Sequence, residues 1–346
     1  MSEKLFFIIS GEHPTLPEAE LKAILEAENC QFHLLESAPK LSLVEAPQSC
    51  LEVVSTRSSM CTISGVHVLE CPNDRADIEK AIKESGLSSA LKPGDSFSVR
   101  VVKVGRVRDN RSSEALEAYV GKMVQQTVQG LSVDLVRPRK SLLGIVYDGK
   151  FILGIEKYRR EPGGFSRRRP RQRPVFHPST MPPKLARCMV NLARPRKGDL
   201  ILDPFCGVGG ILIEADLIGC RTLGCDIRLK KVQDSLVNMK YFGLEPVGMV
   251  LADARAPPFK EIDTIVTDPP YGTAASTHGS TTREILKRFF RGAYEILSPG
   301  SCICIGSPRK AEINSLGNDA GFDLVELHEV YVHRSLTRVI SVFRRK

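Results

Sequence analysis

Short apolar runs that end in an acidic residue recur along the second half of the chain. The runs at 199–202, 221–225, 248–252 and 262–266 are aliphatic or β-branched and are too short for helices. Between and after these runs, apolar residues fall at helical spacing, most clearly in 282–297. Alternation of buried strands with helices is typical of a parallel α/β sheet covered on both faces. A last pair of strands is predicted at 324–332 and 339–343.

The first half has a different pattern, in which single strands and helices follow one another as in α+β folds. Residues 1–70 are predicted to form an N-terminal ferredoxin-like domain, and residues 71–156 a second unit. In the second unit, a helix at 112–128 precedes a hairpin turned by Asp148-Gly149. Its predicted elements are a helix at 74–85, strands at 96–102, 142–147 and 151–155, and the run Val133-Asp134-Leu135-Val136-Arg137-Pro138.

A glycine-rich loop follows the strand at 199–202 and leads into a helix that begins near Ile211. Its sequence is Asp203-Pro204-Phe205-Cys206-Gly207-Val208-Gly209-Gly210. Glycines let a backbone approach a ligand closely, as in nucleotide-binding loops. The carboxylate inside this loop suits a cation better than a pyrophosphate, and S-adenosylmethionine carries a sulfonium and an ammonium group. The next strand-end acids, Asp226 and Asp253, are then candidates for the ribose hydroxyls and the adenine amino group.

The strand at 262–266 is stopped by the sequence Asp268-Pro269-Pro270-Tyr271. Two prolines cannot continue a ladder, so the chain leaves the sheet at Asp268. The carboxylate and the Pro269 carbonyl can each accept one N–H of an exocyclic amino group, and Tyr271 can stack on the base. Any single acid of this kind is also a common turn or cap residue. Four strand-end acids in one series favour the cofactor and acceptor interpretation.

The net charge of +9 is concentrated in the middle of the chain. Residues 1–99 carry −7, residues 100–174 carry +11 and the remainder +5. Such a distribution indicates a phosphate-binding surface and favours a nucleic acid over a small substrate. Residues 157–175 are predicted to be a solvated basic linker that lies along the backbone of the nucleic acid. Its candidate phosphate-binding residues are Arg159, Arg160, Arg167, Arg168, Arg169 and Arg171.

The cysteines and the termini indicate where the protein works. The ten cysteines lack the paired spacing of a zinc site, so reduced thiols and no metal are expected, although a bridge such as Cys61–Cys71 stays possible. The charged start and the short apolar run at 5–9 resemble neither a secretory signal nor a membrane span. A cytoplasmic protein without a membrane partner is therefore predicted.

These motifs together resemble the amino-group methyltransferases with a Rossmann-like sheet, and among them the archaeal-type tRNA (guanosine-10 N2) methyltransferases. The residues 133–155 are similar to the ending of THUMP domains, which bind RNA. The resemblance implies a THUMP domain at 71–156 and an S-adenosylmethionine-dependent methyltransferase domain with a seven-stranded sheet at 176–346. It implies the catalytic residues Asp268, Pro269 and Tyr271. The implied cofactor-binding residues are Thr180, Met181, Asp203, Phe205, Cys206, Gly207, Gly209, Asp226, Ile227, Asp253, Ala254 and Asp268.

The implied activity is methyl transfer to N2 of guanosine 10 in tRNA, by a chain that acts as a monomer. DNA adenine-N6 methyltransferases also carry Asp-Pro-Pro-Tyr, but the THUMP-like ending argues against DNA. Enzymes that act on another tRNA position or on rRNA are a nearer alternative, and their motif more often begins with Asn than with Asp268. A non-catalytic RNA-binding protein is a third. Mono- or dimethylation, and a small activator subunit, stay open.

Overall fold

The computed structural model describes residues 2–105, 107, 109–178, 180–270, 281–334 and 336–346. The chain forms two compact units. Unit 1 consists of Met1–Glu18, Asn29–Thr56 and Cys61–Arg160. Unit 2 consists of Ala19–Glu28, Arg57–Met60 and Glu161–Lys346. Among the described residues, no helix combines the length and apolar character needed to cross a membrane.

Unit 1 is built on one eight-stranded sheet in the order β2-β3-β1-β4-β8-β7-β5-β6. Its strands are β1 (Ser2–Ile9), β2 (His33–Ala38), β3 (Leu41–Pro47), β4 (Cys61–Pro72), β5 (Ser96–Lys103), β6 (Ser132–Val133), β7 (Lys140–Tyr147) and β8 (Lys150–Arg159). The helices that begin in this part of the chain are α1 (Leu16–Ala27), α2 (Ser49–Arg57), α3 (Arg75–Glu84), α4 (Leu87–Ala90) and α5 (Ser113–Thr127). Strand β5 runs parallel to β6 and β7, and the other pairs are antiparallel.

The α+β character predicted for the first half is confirmed, with the hairpin at 140–159 turned at Asp148 and Gly149 as expected. Strand β4 crosses the predicted boundary at residue 70 and pairs with β8, so the strands on both sides of that boundary belong to one sheet. The division into a ferredoxin-like and a THUMP domain stays a prediction.

Unit 2 carries the seven-stranded sheet that the sequence predicted, in the order β11-β10-β9-β12-β13-β15-β14. Its strands are β9 (Leu200–Asp203), β10 (Arg221–Asp226), β11 (Gly248–Leu251), β12 (Thr264–Thr267), β13 (Cys302–Pro308), β14 (Phe322–His333) and β15 (Leu336–Arg345). Its helices are α6 (Gly164–Arg167), α7 (Pro183–Leu192), α8 (Gly210–Asp216), α9 (Leu229–Tyr241), α10 (Thr282–Ile296) and α11 (Ile313–Asp319), with 3₁₀ turns at Pro170–Gln172 and Arg309–Ala311.

Strands β9 to β13 of this sheet are parallel to one another. Strand β15 pairs antiparallel with both β13 and β14. Strand β9 lies between β10 and β12, so the connections leave it in opposite directions. This switch point is where open α/β sheets place a ligand, beyond the carboxyl ends of the strands. Helix α10 covers the sheet with Phe289 and Phe290, both buried, and begins at a capping box formed by Thr281 and Glu284.

A buried carboxylate organises the part of unit 2 that comes from early in the chain. Glu20 is fully buried and accepts hydrogen bonds from the Ser58 hydroxyl at 2.6 Å, the Ser59 amide at 2.9 Å and the Met60 amide at 2.8 Å. The Asn191 side chain of α7 donates a further bond at 2.9 Å. These donors satisfy an ionised group that would otherwise be costly to bury. Helix α7 leads back to the segment that the sequence assigns to the cofactor.

All ten cysteines lie in described residues, and all are free thiols. The bridge between Cys61 and Cys71 that the sequence left open is therefore absent.

Replacing Glu20 with alanine is expected to lower the free energy of unfolding by about 3–5 kcal/mol, because several buried donors lose their acceptor at once. Glu26→Ala on the same helix is the matched control. Glu26 is exposed and pairs with Arg194, so the loss there is expected to be about 1 kcal/mol or less. Urea unfolding of both variants measures the difference, and equal losses would contradict the role given to Glu20.

Candidate active site

Two of the predicted acids meet where β9 and β12 end. Asp203, the last residue of β9, is 2% exposed. Its Oδ1 accepts the Thr267 hydroxyl of β12 at 2.6 Å and the Phe205 amide at 3.1 Å. Asp268 follows Thr267 directly. The hydrogen bond from Thr267 to Asp203 therefore fixes the starts of the glycine-rich loop and of the Asp-Pro-Pro motif against each other.

The electrostatics of this edge favour a cation. Burial, as the largest cause, and the negative charges of Asp268 and Asp226 together raise the pKa of Asp203 to about 7. The hydrogen bonds from Thr267 and Phe205 oppose that rise. Both are neutral donors, so the charge on Asp203 is poorly compensated within the described residues. A positively charged ligand beside Asp203 would stabilise its ionised form.

The glycine-rich loop has the backbone that the sequence predicted for it. Gly207 and Gly209 have φ values of +53° and +82°, in the region that favours glycine. The Gly207 amide donates to Asp226 Oδ2 at 3.2 Å, so the loop is tied to the end of β10. A Cβ atom on Gly209 would lie 2.5 Å from the Ser235 hydroxyl of α9. A larger residue at 209 would require the Ser235 side chain to move and would be strained at this positive φ.

Asn238 of α9 joins this loop to the segment before α7. It is fully buried, and its side chain accepts from the Val175 amide at 3.0 Å and donates to the Val175 carbonyl at 3.0 Å. The same amide group donates to the Val208 carbonyl of the loop at 2.9 Å. Thr180 lies close by, since a Cβ on Gly210 would be 3.4 Å from its methyl group. The predicted cofactor-covering residues Thr180 and Met181 thus follow a segment bound to the loop.

Further predicted cofactor residues lie at the ends of β10 and β11. Asp226 Oδ1 accepts the Arg228 amide at 3.0 Å, and Ile227 between them is 42% exposed. Asp253 is bound by the guanidinium of Arg255 at 2.6 Å and 2.8 Å, which lowers the pKa of that carboxyl group. Three predicted residues are left. Phe205 and Cys206 belong to the glycine-rich loop after Asp203, and Ala254 follows Asp253. Of these three, Cys206 and Ala254 are buried.

Asp268 has a partner that sequence reasoning missed. Arg338 of β15 donates from Nη2 to Asp268 Oδ2 at 2.9 Å and is only 7% exposed. Arg338 pairs with Pro308, the last residue of β13, so it reaches the acceptor motif from two strands away. The only sequence signal was an arginine at the start of an apolar strand. Pro269 is buried beside Asp268, whereas Tyr271 lies outside the described residues.

The predicted RNA-binding arginines have different environments. Arg167, Arg169 and Arg171 are exposed, and Arg159 forms an ion pair with Glu156. Arg168 instead binds both oxygens of the fully buried Glu214, at 2.7 Å and 3.0 Å. Residues 164–172 therefore pack against α8, so the predicted linker is not solvated along its whole length. The cause is the buried carboxylate of Glu214, which is stabilised by the cationic side chain of Arg168.

An open cavity of about 520 Å³ lies in unit 1, and its lining includes none of the predicted catalytic and cofactor residues. Two of the charged side chains in its lining, Arg111 and Asp109, form an ion pair at 2.9 Å. It is lined by Asn73, Asp74, Arg75, Asp109, Asn110 and Arg111.

Comparison with solved structures agrees with this fold. The chain is similar to TrmN from Thermus thermophilus, with 22% identity and a TM-score of 0.55 over 99% of this chain and 100% of that one. It is also similar to the putative methyltransferase SMU.472, solved in complex with SAH, with 12% identity and a TM-score of 0.54 over 100% and 98% of the two chains. At these identities the likeness shows a methyltransferase fold.

Sequence comparison identifies the family. Residues 170–340 match the family model described as the RMKL-like methyltransferase domain. The chain is 37% identical over 344 residues to the tRNA (guanine(10)-N2)-dimethyltransferase of Methanothermobacter thermautotrophicus, covering 99% of each chain. This chain therefore belongs to the family of the tRNA (guanine(10)-N2)-dimethyltransferases.

Proposed function

We propose that this chain transfers methyl groups from S-adenosylmethionine to the exocyclic N2 of guanosine 10 in tRNA, forming N2-methylguanosine and its dimethyl form. The observation that carries the proposal is the Asp268-Pro269-Pro270 motif at the carboxyl end of β12, hydrogen-bonded through its neighbour Thr267 to Asp203. Cofactor and acceptor residues are thereby held side by side at one switch point. The M. thermautotrophicus relative is a tRNA (guanine(10)-N2)-dimethyltransferase, which supports the tRNA position and the dimethyl product.

The residues at the switch point fit S-adenosylmethionine. Asp203 offers a buried carboxylate whose charge needs a cation, and the loop from Gly207 to Gly209 allows close approach. Asp226 and Asp253 follow the next two strands of the sheet and are proposed to bind the ribose hydroxyls and the adenine amino group. The cofactor supplies an electrophilic methyl group on sulfur. The protein's own part is to hold the two reactants in line and to exclude water.

Asp268 and Pro269 are proposed to bind the acceptor. The Asp268 carboxylate and the Pro269 carbonyl each accept one N–H of the guanine amino group, which turns the nitrogen lone pair towards the methyl group. Asp268 also stabilises the positive charge that develops on nitrogen. Arg338 holds one carboxylate oxygen of Asp268 by a buried hydrogen bond and so acts as a positioning residue. Tyr271 is proposed to stack on the base.

The tRNA must present guanosine 10 outside its helix, at a cost of a few kcal/mol. The exposed Arg167, Arg169 and Arg171 are proposed to contact phosphates near the site, together with Arg160. Arg168 is proposed to act differently, by fixing this segment through Glu214. A tRNA substrate and ten free thiols agree with a cytoplasmic location.

The purified chain is expected to methylate an unmodified tRNA transcript with labelled S-adenosylmethionine, and nucleoside mass spectrometry should detect N2-methylguanosine and its dimethyl form. Asp268→Ala is expected to lower kcat by about 10²–10³-fold or more, because an acceptor-orienting and charge-stabilising group is lost. Its affinity for the cofactor should stay nearly unchanged. Asp323→Ala, in the exposed edge strand β14, is the matched control and should retain activity.

Replacing guanosine 10 in the transcript should abolish the product. Methylation that persists in that transcript would reject the assigned position and favour another guanosine. Transfer to rRNA alone, or to adenine N6 in DNA, would reject the substrate class. Binding of tRNA without any binding of the cofactor would favour the non-catalytic alternative.

Cofactor affinity is expected to depend on pH through Asp203. The carboxyl pKa of about 7 in the free protein means that Asp203 is mostly protonated below pH 7, and a bound cation requires the ionised form. Binding of S-adenosylmethionine should then release a proton, and its Kd should rise by up to about tenfold per pH unit below pH 7 and level off above it. Calorimetry in buffers of different ionisation enthalpy measures this release. Asp203→Asn should remove the dependence of the cofactor Kd on pH. If this dependence is unchanged in the variant, Asp203 is not the group that ionises on cofactor binding.

Loss of the Arg338 hydrogen bond is expected to affect kcat alone. Arg338→Met should lower kcat by about 10–100-fold, because the Asp268 carboxylate loses a charge-assisted bond that orients it, while KM for tRNA and Kd for the cofactor stay within about twofold. Arg338→Lys should recover part of the rate. Arg344→Met, at an exposed position of the same strand, is the control. Equal loss of rate and cofactor affinity would indicate a general structural defect instead.

A further inference from the structure

Arg173 is a buried cation that the predicted RNA contacts leave unexplained. The side chain is 5% exposed, and its Nε donates to the Arg168 carbonyl at 3.0 Å, which fixes the direction of the guanidinium. Within the described residues, neither Nη1 nor Nη2 has a hydrogen-bond partner. A buried guanidinium with unsatisfied donors is strongly unfavourable unless an anion binds it.

In the part of the chain that the structure describes, no carboxylate accepts a hydrogen bond from Arg173 Nη1 or Nη2. Glu214 is the carboxylate that acts most strongly on Arg173, but its oxygens already bind Arg168 at 2.7 Å and 3.0 Å and Arg187 at 3.0 Å. Three guanidinium groups therefore share one buried carboxylate. Burial lowers the pKa of Arg173 in spite of Glu214, and the neighbouring charge of Arg168 lowers it further. The local excess of positive charge indicates a binding position for an anion.

Arg173 lies directly beside the glycine-rich loop. A Cβ atom on Gly210 would be 3.4 Å from Arg173 Nη1 and 3.4 Å from the Thr180 methyl group. Two residues after Arg173, Val175 is bound through both its amide and its carbonyl to Asn238, which also binds the Val208 carbonyl of the loop. The guanidinium is thus held at the loop by contacts on both sides of it. This position is buried, so a phosphate of the RNA backbone has poor access to it.

We propose that Arg173 binds the carboxylate of the amino-acid end of S-adenosylmethionine through Nη1 and Nη2. The inference rests on the proposed function and assigns one more residue to its cofactor site. That carboxylate is the cofactor's single anionic group, and a guanidinium matches its two oxygens in a bidentate geometry. The ammonium of the same amino-acid end then belongs to the acidic side of the loop, at Asp203. Opposite charges on the two sides of the loop thereby orient the cofactor.

The test compares two ligands that differ only in this carboxylate, S-adenosylhomocysteine and its decarboxylated analogue, by calorimetry with the full chain. The wild-type protein is expected to bind S-adenosylhomocysteine at least about tenfold more tightly, since a charge-assisted bidentate pair is lost in the analogue. Arg173→Met should bind the two ligands with equal affinity, and Arg173→Lys should lie between. The control Arg221→Met changes an exposed arginine at the other end of β10 and should keep the wild-type ratio.

Several outcomes would overturn the assignment. Equal weakening of both ligands by Arg173→Met would indicate a structural role, and an unchanged ratio would show that Arg173 does not contact the carboxylate. A loss of tRNA affinity without a change in the ratio would indicate an RNA phosphate as the anion. If Arg173→Met does not fold, the wild-type ratio and Arg173→Lys still decide, since a wild-type ratio near one rejects the proposal. Failure of the wild-type chain to bind S-adenosylhomocysteine at all would reject the proposed function itself.

Discussion

The hydrogen bond from Thr267 to Asp203 is the contact on which the arrangement of the site depends. It joins the ends of β9 and β12 at the switch point and leaves Asp203 with neutral donors, although the carboxylate is almost fully buried. Two of the other strand-end acids are bound by guanidinium groups, Asp253 by Arg255 and Asp268 by Arg338, and Asp226 lies 3.9 Å from Arg228 Nε. Asp203 is therefore the place where a cationic ligand relieves the most unfavourable charge of the site.

The sequence predicted the features that depend on local chemistry. Prolines and glycines end strands and permit positive φ wherever they occur, so the loop at Gly207 and Gly209 and the exit of the chain at Asp268 could be predicted without tertiary information. The order of apolar runs also predicted a parallel α/β sheet, since parallel strands with helical crossovers follow restricted topologies. The number of seven strands came from the resemblance to the methyltransferases and is confirmed.

The sequence could not predict contacts that join distant segments. Arg338 lies 70 residues from Asp268, and Asn238 lies 63 residues from Val175, and no local pattern marks either pair. Composition was misleading at Arg168 and Arg173, because a run of arginines is usually solvated and the buried Glu214 that binds Arg168 lies 46 residues away. The helix that carries Glu20 likewise follows the first strand of unit 1, yet residues 19–28 belong to unit 2.

The distribution of charge explains how one chain can use both an acidic site and a polyanionic substrate. Under the proposed function, phosphates are attracted to the exposed arginines at 167–171 and repelled from the carboxylates of Asp203, Asp226 and Asp268. A guanine base is neutral and offers N–H donors. It can therefore form hydrogen bonds at the acidic edge, where the phosphates of the RNA backbone would be repelled. Under this proposal, the carboxylates that bind the cofactor also admit the neutral base to the site and exclude the phosphates.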